Sequence, residues 1–184
     1  MKERNKGILI ISFFLLINLI STAQTKVKAG GGINYISNNF PEEQLNDYLA
    51  FSFHLSYTLF QHQDFSVAVE SATSLKRKED YDKTSVGVIT SLPVTLQYQL
   101  KNTLLYAGTG PAYLKQKETT YQYNEKVSGA YLNMMAGVGF SSKPFLLGVI
   151  YPEYNIRLSF LKSFRDDREN VGMISLILFL RGVK

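Results

Sequence analysis

The sequence contains no cysteine and no tryptophan, and it has only two histidines in 184 residues. Without cysteine the chain can form neither a disulfide nor a lipid-modified cysteine, so a folded domain must be held by non-covalent interactions alone. The histidines, His54 and His62, are not spaced as metal ligands. The sequence therefore predicts no metal, no cofactor, no catalytic residue and no enzymatic activity.

Long apolar runs are also scarce, and the one that occurs lies at the start of the chain. Three basic residues precede the apolar segment 8–20, and small residues, among them Ser21 and Ala23, follow it. This order is typical of a secretory signal peptide, and the run is too short for a membrane helix, which needs about 20 residues. We predict a signal peptide over 1–23, cleaved after Ala23 or Gln24, and a single domain over 24–184.

Charge of one sign is not in large excess. The formal net charge is +5, and it becomes +3 when Lys2, Glu3, Arg4 and Lys6 leave with the signal peptide. A surplus this small predicts no nucleic-acid partner.

What the sequence does contain is alternation of apolar and polar residues with a period of two, which predicts β-strands. The clearest example is 48–60, where Phe51, Phe53 and Leu55 alternate with Ser52, His54 and Ser56. A strand of this length exceeds the usual five or six residues of soluble sheets and suits a bilayer crossing of about 9–11 tilted residues. The eight predicted strands are 27–36, 48–60, 65–75, 86–100, 104–114, 130–140, 146–160 and 172–183.

Alternation alone does not say whether the apolar face points to lipid or into a soluble core, but the connections do. They alternate between long charged segments (37–47, 76–84, 115–126 and 162–170) and short ones (61–64, 101–102 and 141–144). Long external loops and short periplasmic turns are typical of outer-membrane barrels. We therefore predict an all-β fold: an eight-stranded, antiparallel, up-and-down transmembrane β-barrel in the outer membrane, with both termini periplasmic and the apolar residues facing lipid.

One hairpin carries a family resemblance. Residues 90–98 read TSLPVTLQY, and the next strand reads LLYAGTGPAYLKQ. This hairpin resembles the PorT-like outer-membrane β-barrel family common in Bacteroidetes, which implies a barrel in the outer membrane. One branch of that family is implicated in protein secretion and surface assembly, although a shared fold does not imply a shared function. The matching positions include Leu92, Pro93, Leu96, Gln97, Tyr98, Ala107, Gly108, Gly110, Pro111 and Tyr113.

The polar face of the strands would line the barrel interior. Its charged residues must pair, because an isolated buried ion is very costly. Glu153 and Arg157 lie four residues apart on one strand, about 13 Å, so each needs a partner from another strand. We predict an internal salt-bridge network; an ion-selective constriction would instead require continuous water along the barrel. The predicted network comprises Glu70, Glu153, Arg157, His54, Gln97 and Arg181, with Gln99 nearby.

These observations leave two classes of function open. The first is a non-enzymatic barrel whose extracellular loops act in envelope structure, surface interaction or assembly of a secretion system. The second is a porin-like passive channel for small solutes. A lipid-modifying enzyme is a third reading, since Ser52 and Ser56 flank His54, but their predicted face is the lumen rather than the leaflet. The expected partners are outer-membrane lipid, lipopolysaccharide and envelope or secretion-system proteins. The run Lys76-Arg77-Lys78 is balanced by Glu79, Asp80 and Asp82 and is most simply a solvated external loop, with contact to lipopolysaccharide phosphates as the alternative.

Overall fold

The computed structural model describes residues 26–38, 48–80, 83–120, 124–144, 150–165 and 170–182. The predicted signal peptide lies outside these residues. In the described part of the chain no helix is long and apolar enough to cross a membrane.

Nine strands form one closed antiparallel sheet. Strands that follow one another along the chain pair with each other, except β4 with β5, and β1 pairs with β9. Segments β4 and β5 both pair with β3 on one side and β6 on the other, so they are two halves of one barrel strand. The predicted eight-stranded up-and-down barrel is thereby confirmed. The strands are β1 Val27–Asn38, β2 Tyr48–His62, β3 Phe65–Asp80, β4 Lys83–Ser91, β5 Val94–Leu100, β6 Thr103–Thr120, β7 Asn124–Ser141, β8 Ile150–Ser163 and β9 Val171–Gly182.

The strand predicted over 86–100 is interrupted because proline has no N–H to donate to a ladder. Pro93 separates β4 from β5, yet its carbonyl oxygen still accepts from the Glu70 N–H at 2.9 Å. On the other side, the Leu92 N–H donates to the Pro111 carbonyl at 2.9 Å. The two neighbouring strands therefore hold the halves of this strand in line.

The outer wall is apolar. Phe51, Phe53 and Leu55 are 69%, 61% and 52% exposed, whereas Glu153 and Arg157 are each 3% exposed inside. Exposed aromatic residues mark both ends of this wall, as expected at the two membrane–water boundaries. They include Tyr35 and Tyr113 at one end, and Phe60, Phe65, Phe140 and Tyr154 at the other.

The two ends of the barrel differ. At one, which we call the turn end, two-residue turns at Gln63–Asp64 and Lys101–Asn102 join the strands, and the left-handed φ of 51° at Gln63 and 52° at Lys101 fits such tight hairpins. We call the opposite end the loop end. Both Lys26 and Gly182 lie at the turn end.

Two of the connections predicted to be long are largely paired strand instead. At the loop end β3 and β4 remain in register to Asp80 and Lys83, and β6 and β7 to Thr119 and Asn124. The prediction of loops over 76–84 and 115–126 was therefore wrong for most of their length. Once both faces of a strand are in water, polar residues occupy both faces, and the alternation that identifies a strand disappears.

Candidate functional site

The centre of the barrel interior holds a charged cluster drawn from four strands. Arg157 on β8 donates from Nη1 to Glu70 Oε1 at 2.6 Å and from Nη2 to Oε2 at 2.7 Å. Its Nε donates to the Tyr106 hydroxyl at 3.2 Å, and His54 Nδ1 lies 2.8 Å from Glu70 Oε1. Such a two-point pair fixes both side chains, and it satisfies charges that could not remain single in this buried position. The cluster ties β2, β3, β6 and β8 together across the lumen.

The same cluster contains the three residue types of a hydrolytic triad. His54 Nε2 lies 2.9 Å from Ser52 Oγ, while Glu70 holds the other ring nitrogen. However, the Ser52 hydroxyl donates to Asn34 Oδ1 at 3.3 Å, so its proton is not directed at the histidine. Ser52 is also only 2% exposed. The arrangement is a hydrogen-bonded layer of the barrel interior.

A second ion pair lies nearer the turn end. Lys28 Nζ donates to Glu153 Oε2 at 2.9 Å, and Asn155 Nδ2 donates to Glu153 Oε1 at 3.1 Å. Glu153 and Arg157 thus each take their partner from another strand. The sequence prediction did not name Lys28 or Tyr106, although the position of Lys28 on the polar face of the first strand was a usable signal.

Below this pair, a cavity of about 280 Å³ lies at the turn end and is mainly polar. Gln97 and Arg181 line it, as does Gln99. Gln97 Nε2 donates to Thr95 Oγ1 at 3.0 Å, and the Arg181 guanidinium lies 5.8 Å from the centre of the Tyr151 ring. Neither Gln97 nor Arg181 contacts the central cluster through a hydrogen bond in the described residues. No group of three His, Asp or Glu among those residues could hold a metal ion.

Above the central cluster, towards the loop end, the interior is mostly apolar, with the fully buried Gln116 as a polar exception. Five side chains in this layer, Ile36, Leu114, Tyr131, Leu161 and Val171, are at most 1% exposed, and Ala50, Ile89 and Ala112 pack with them. We call this layer the apolar plug. The narrow barrel is thus filled by side chains at this level, and most of them are hydrocarbon.

The space beside the Glu70–Arg157 pair is also small. The cavity lined by these residues, Tyr106 and Asn155 has a volume of only about 10 Å³, which is at the lower limit for one water molecule. Two successive barriers, the ion pair and the apolar plug, therefore separate the turn-end cavity from the loop end.

The hairpin residues that carried the family resemblance form the wall of the barrel. Leu92 is 51% exposed on the outside, Pro93 is buried, and the Tyr98 ring packs on Phe65 at 4.8 Å between centroids. A Cβ on Gly110 would lie against the Leu92 carbonyl oxygen and the Pro93 backbone, and one on Gly108 would meet Thr95. Pro111 supplies the carbonyl that accepts from Leu92. These residues fit the two strands together at the proline break.

This geometry agrees with the comparison to known families. The family described as outer membrane protein beta-barrel domain matches residues 8–151. The chain belongs to this family. No curated protein sequence matches the chain significantly.

Several solved barrels resemble this member of the family. Ail, the attachment invasion locus protein of Yersinia pestis, has a TM-score of 0.60 at 16% identity, with 86% of this chain and 98% of Ail covered. The N-terminal β-barrel domain of Pseudomonas aeruginosa OprF has a TM-score of 0.55 at 12% identity, with 85% of this chain and 97% of the OprF domain covered. Neisserial surface protein A has a TM-score of 0.53 at 13% identity, with 84% of this chain and 95% of that protein covered. Ail has also been crystallised with the heparin analogue sucrose octasulfate. At these identities the likeness shows the fold alone.

Proposed function

We propose that this outer-membrane barrel is a non-conducting scaffold that acts at the cell surface through its loop end. The observation that supports this most directly is the closed interior, where the apolar plug and the Glu70–Arg157 pair follow one another along the barrel axis. The paired strands that extend past the membrane belt at the loop end supply a rigid base for the connections above them.

The proposal includes an orientation. Residues 1–23 act as a cleaved signal peptide, the domain 24–184 enters the outer membrane, and both termini remain periplasmic with the turn end. The support is that β3, β4, β6 and β7 continue as paired strands beyond the apolar belt at the loop end, whereas two-residue turns close two hairpins at the turn end, and the longer segments of such barrels usually lie outside.

The chain is proposed to be non-enzymatic. The Ser52, His54 and Glu70 arrangement is buried, and its serine proton is directed at Asn34. The interior network of Glu70, Glu153, Arg157, His54, Gln97 and Arg181 is therefore assigned a structural role, in which buried charges are paired and strands are tied across the lumen.

The proposed partners are outer-membrane lipid, lipopolysaccharide and envelope or secretion-system proteins. The hairpin around Pro93 and Gly110 supports the finer assignment to the PorT-like branch of Bacteroidetes barrels, where secretion and surface assembly are the implied processes. The fold shared with Ail, an attachment invasion locus protein that has been crystallised with a heparin analogue, supports a surface interaction as the mode of action.

Conductance in planar bilayers tests the proposal against the passive-channel alternative. We expect no steady single-channel opening from the purified, refolded barrel, because water must cross both the ion pair and the apolar plug. As a control for insertion, the same preparation must show the fast-migrating unboiled form on a gel. Stable unitary openings in the unmodified protein would establish the channel and overturn the proposal.

A further inference from the structure

Two lysines stand on the outer wall of β6 immediately beyond the apolar belt. Tyr113, Lys115 and Lys117 occupy alternate positions on the outward face, and all three side chains are exposed. Tyrosine at this position marks the membrane–water boundary. Because alternate residues of a strand are about 7 Å apart, both ammonium groups fall within reach of the headgroup region.

The register brings further basic residues to the same place. Val86 on β4 pairs with Arg77 on β3 and with Lys117 on β6, and Lys117 pairs in turn with Lys126 on β7. The backbone positions of basic residues on β3, β6 and β7 therefore form one row across four adjacent strands, whose spacing is about 5 Å. Acidic residues also occur nearby in the register: Glu118 and Glu125 pair one position further along β6 and β7, and Glu79 lies two positions beyond Arg77 on β3.

The band differs from the run Lys76-Arg77-Lys78 that the sequence suggested. Lys76 is half-buried, and its Nζ lies 3.9 Å from the centre of the Tyr48 ring. It therefore belongs to the inner side of the wall and lies apart from the exposed side chains of Lys115 and Lys117 on the outer wall, which we call the basic band.

We propose that the basic band binds the phosphate groups of a phosphorylated glycolipid in the outer leaflet. Lys115 and Lys117 carry no ion pair in the described residues, and two like charges about 7 Å apart on one face of a strand repel one another unless an anion lies between them. Leu75 and Val86, both exposed on the same part of the wall, offer an apolar surface next to the charges. A ligand with acyl chains and phosphates matches both features at once.

A soluble sulfated glycan would also supply anions, but it fits the position less well. A glycan in solution has access to the connections beyond the strands, whereas the basic band borders the lipid-facing belt on the side of the barrel. Charge next to hydrocarbon favours a lipid headgroup. The inference deepens the proposed contact with lipopolysaccharide and rests on the proposed orientation.

The test compares the double variant Lys115→Gln/Lys117→Gln with Lys101→Gln/Lys143→Gln, which removes two exposed lysines at the turn end. Each purified barrel is titrated with diphosphorylated lipid A in mixed micelles, and the bound lipid is counted by native mass spectrometry. We expect the affinity of the Lys115/Lys117 variant to fall about tenfold or more, and the control variant to bind as the unmodified protein does. All three must show the same fast-migrating unboiled form.

Two further titrations separate the alternatives. Dephosphorylated lipid A should bind all three proteins equally, because only its acyl chains remain. Equal binding of the phosphorylated lipid by all three proteins, or loss of binding to sucrose octasulfate alone in the Lys115/Lys117 variant, would show the inference to be wrong. Since micelles present lipid to both ends of the barrel, these results do not depend on orientation, which is measured separately.

Discussion

At the scale of single residues, Glu70 is the centre of the interior. Its carboxylate accepts two hydrogen bonds from Arg157 and lies 2.8 Å from His54 Nδ1. Glu70→Gln keeps the shape but leaves the Arg157 guanidinium buried without a countercharge, which costs about 3–5 kcal/mol of the free energy of unfolding. Urea unfolding in phospholipid vesicles, followed by circular dichroism, measures the loss.

The controls for this prediction are one exposed acid and one compensating change. Asp64→Asn removes a carboxylate at the turn end and should change stability by no more than about 0.5 kcal/mol. Glu70→Gln with Arg157→Met removes both charges and should recover part of the loss. A Glu70→Gln variant as stable as Asp64→Asn would show that the pair contributes nothing to the barrel.

At the scale of elements, the break between β4 and β5 at Pro93 requires a residue without a side chain at the facing position on β6, which is Gly110. A Cβ at Gly110 would meet the backbone of Leu92 and Pro93, which cannot move without opening the ladder. Gly31, by contrast, is exposed on the outer wall, and its nearest neighbour would be the Ser52 carbonyl oxygen at 3.7 Å. We expect Gly110→Ala to reduce the folded fraction severely and Gly31→Ala to leave it nearly unchanged, as measured by unboiled gel mobility after refolding. Equal folding of the two variants would contradict the close approach.

Most strands were predictable because their lipid-facing residues are apolar and alternate with polar ones inside. This pattern located β2 from its first residue, Tyr48, and the eight strands of the barrel in order. It could not give the extensions to Asp80 and Thr120, where polar residues occupy both faces. Nor could it show that Pro93 divides a strand without ending it, since that depends on hydrogen bonds from the strands on either side.

At the scale of the whole molecule, the charged half of the interior was easier to anticipate than the apolar half. Glu70 and Arg157 stand out in sequence because a charged side chain on a membrane-spanning strand must point into the barrel interior and away from lipid. Ile36, Leu114 and Leu161 do not stand out. Where a strand is apolar on both faces, the sequence does not show which residues point inward. Only the register of all the strands gathers them at one level and closes the lumen there. The basic band was hidden because Lys115 and Lys117 fall in the segment 115–126, which was predicted to be a loop, whereas the structure continues β6 through both residues.

The orientation of the whole barrel can be measured because the sequence has no cysteine of its own. Lys117→Cys places a thiol at the loop end and Asn102→Cys places one at the turn end, and both side chains are exposed. In intact cells, a maleimide attached to a large polymer should label Lys117→Cys within minutes and should leave Asn102→Cys unmodified, because the outer membrane excludes the polymer from the periplasm. After the outer membrane is permeabilised, both should react. Labelling of Asn102→Cys in intact cells, with Lys117→Cys protected, would place the termini outside. The basic band would then face the inner leaflet, while its affinity for phosphorylated lipid in micelles would be unchanged.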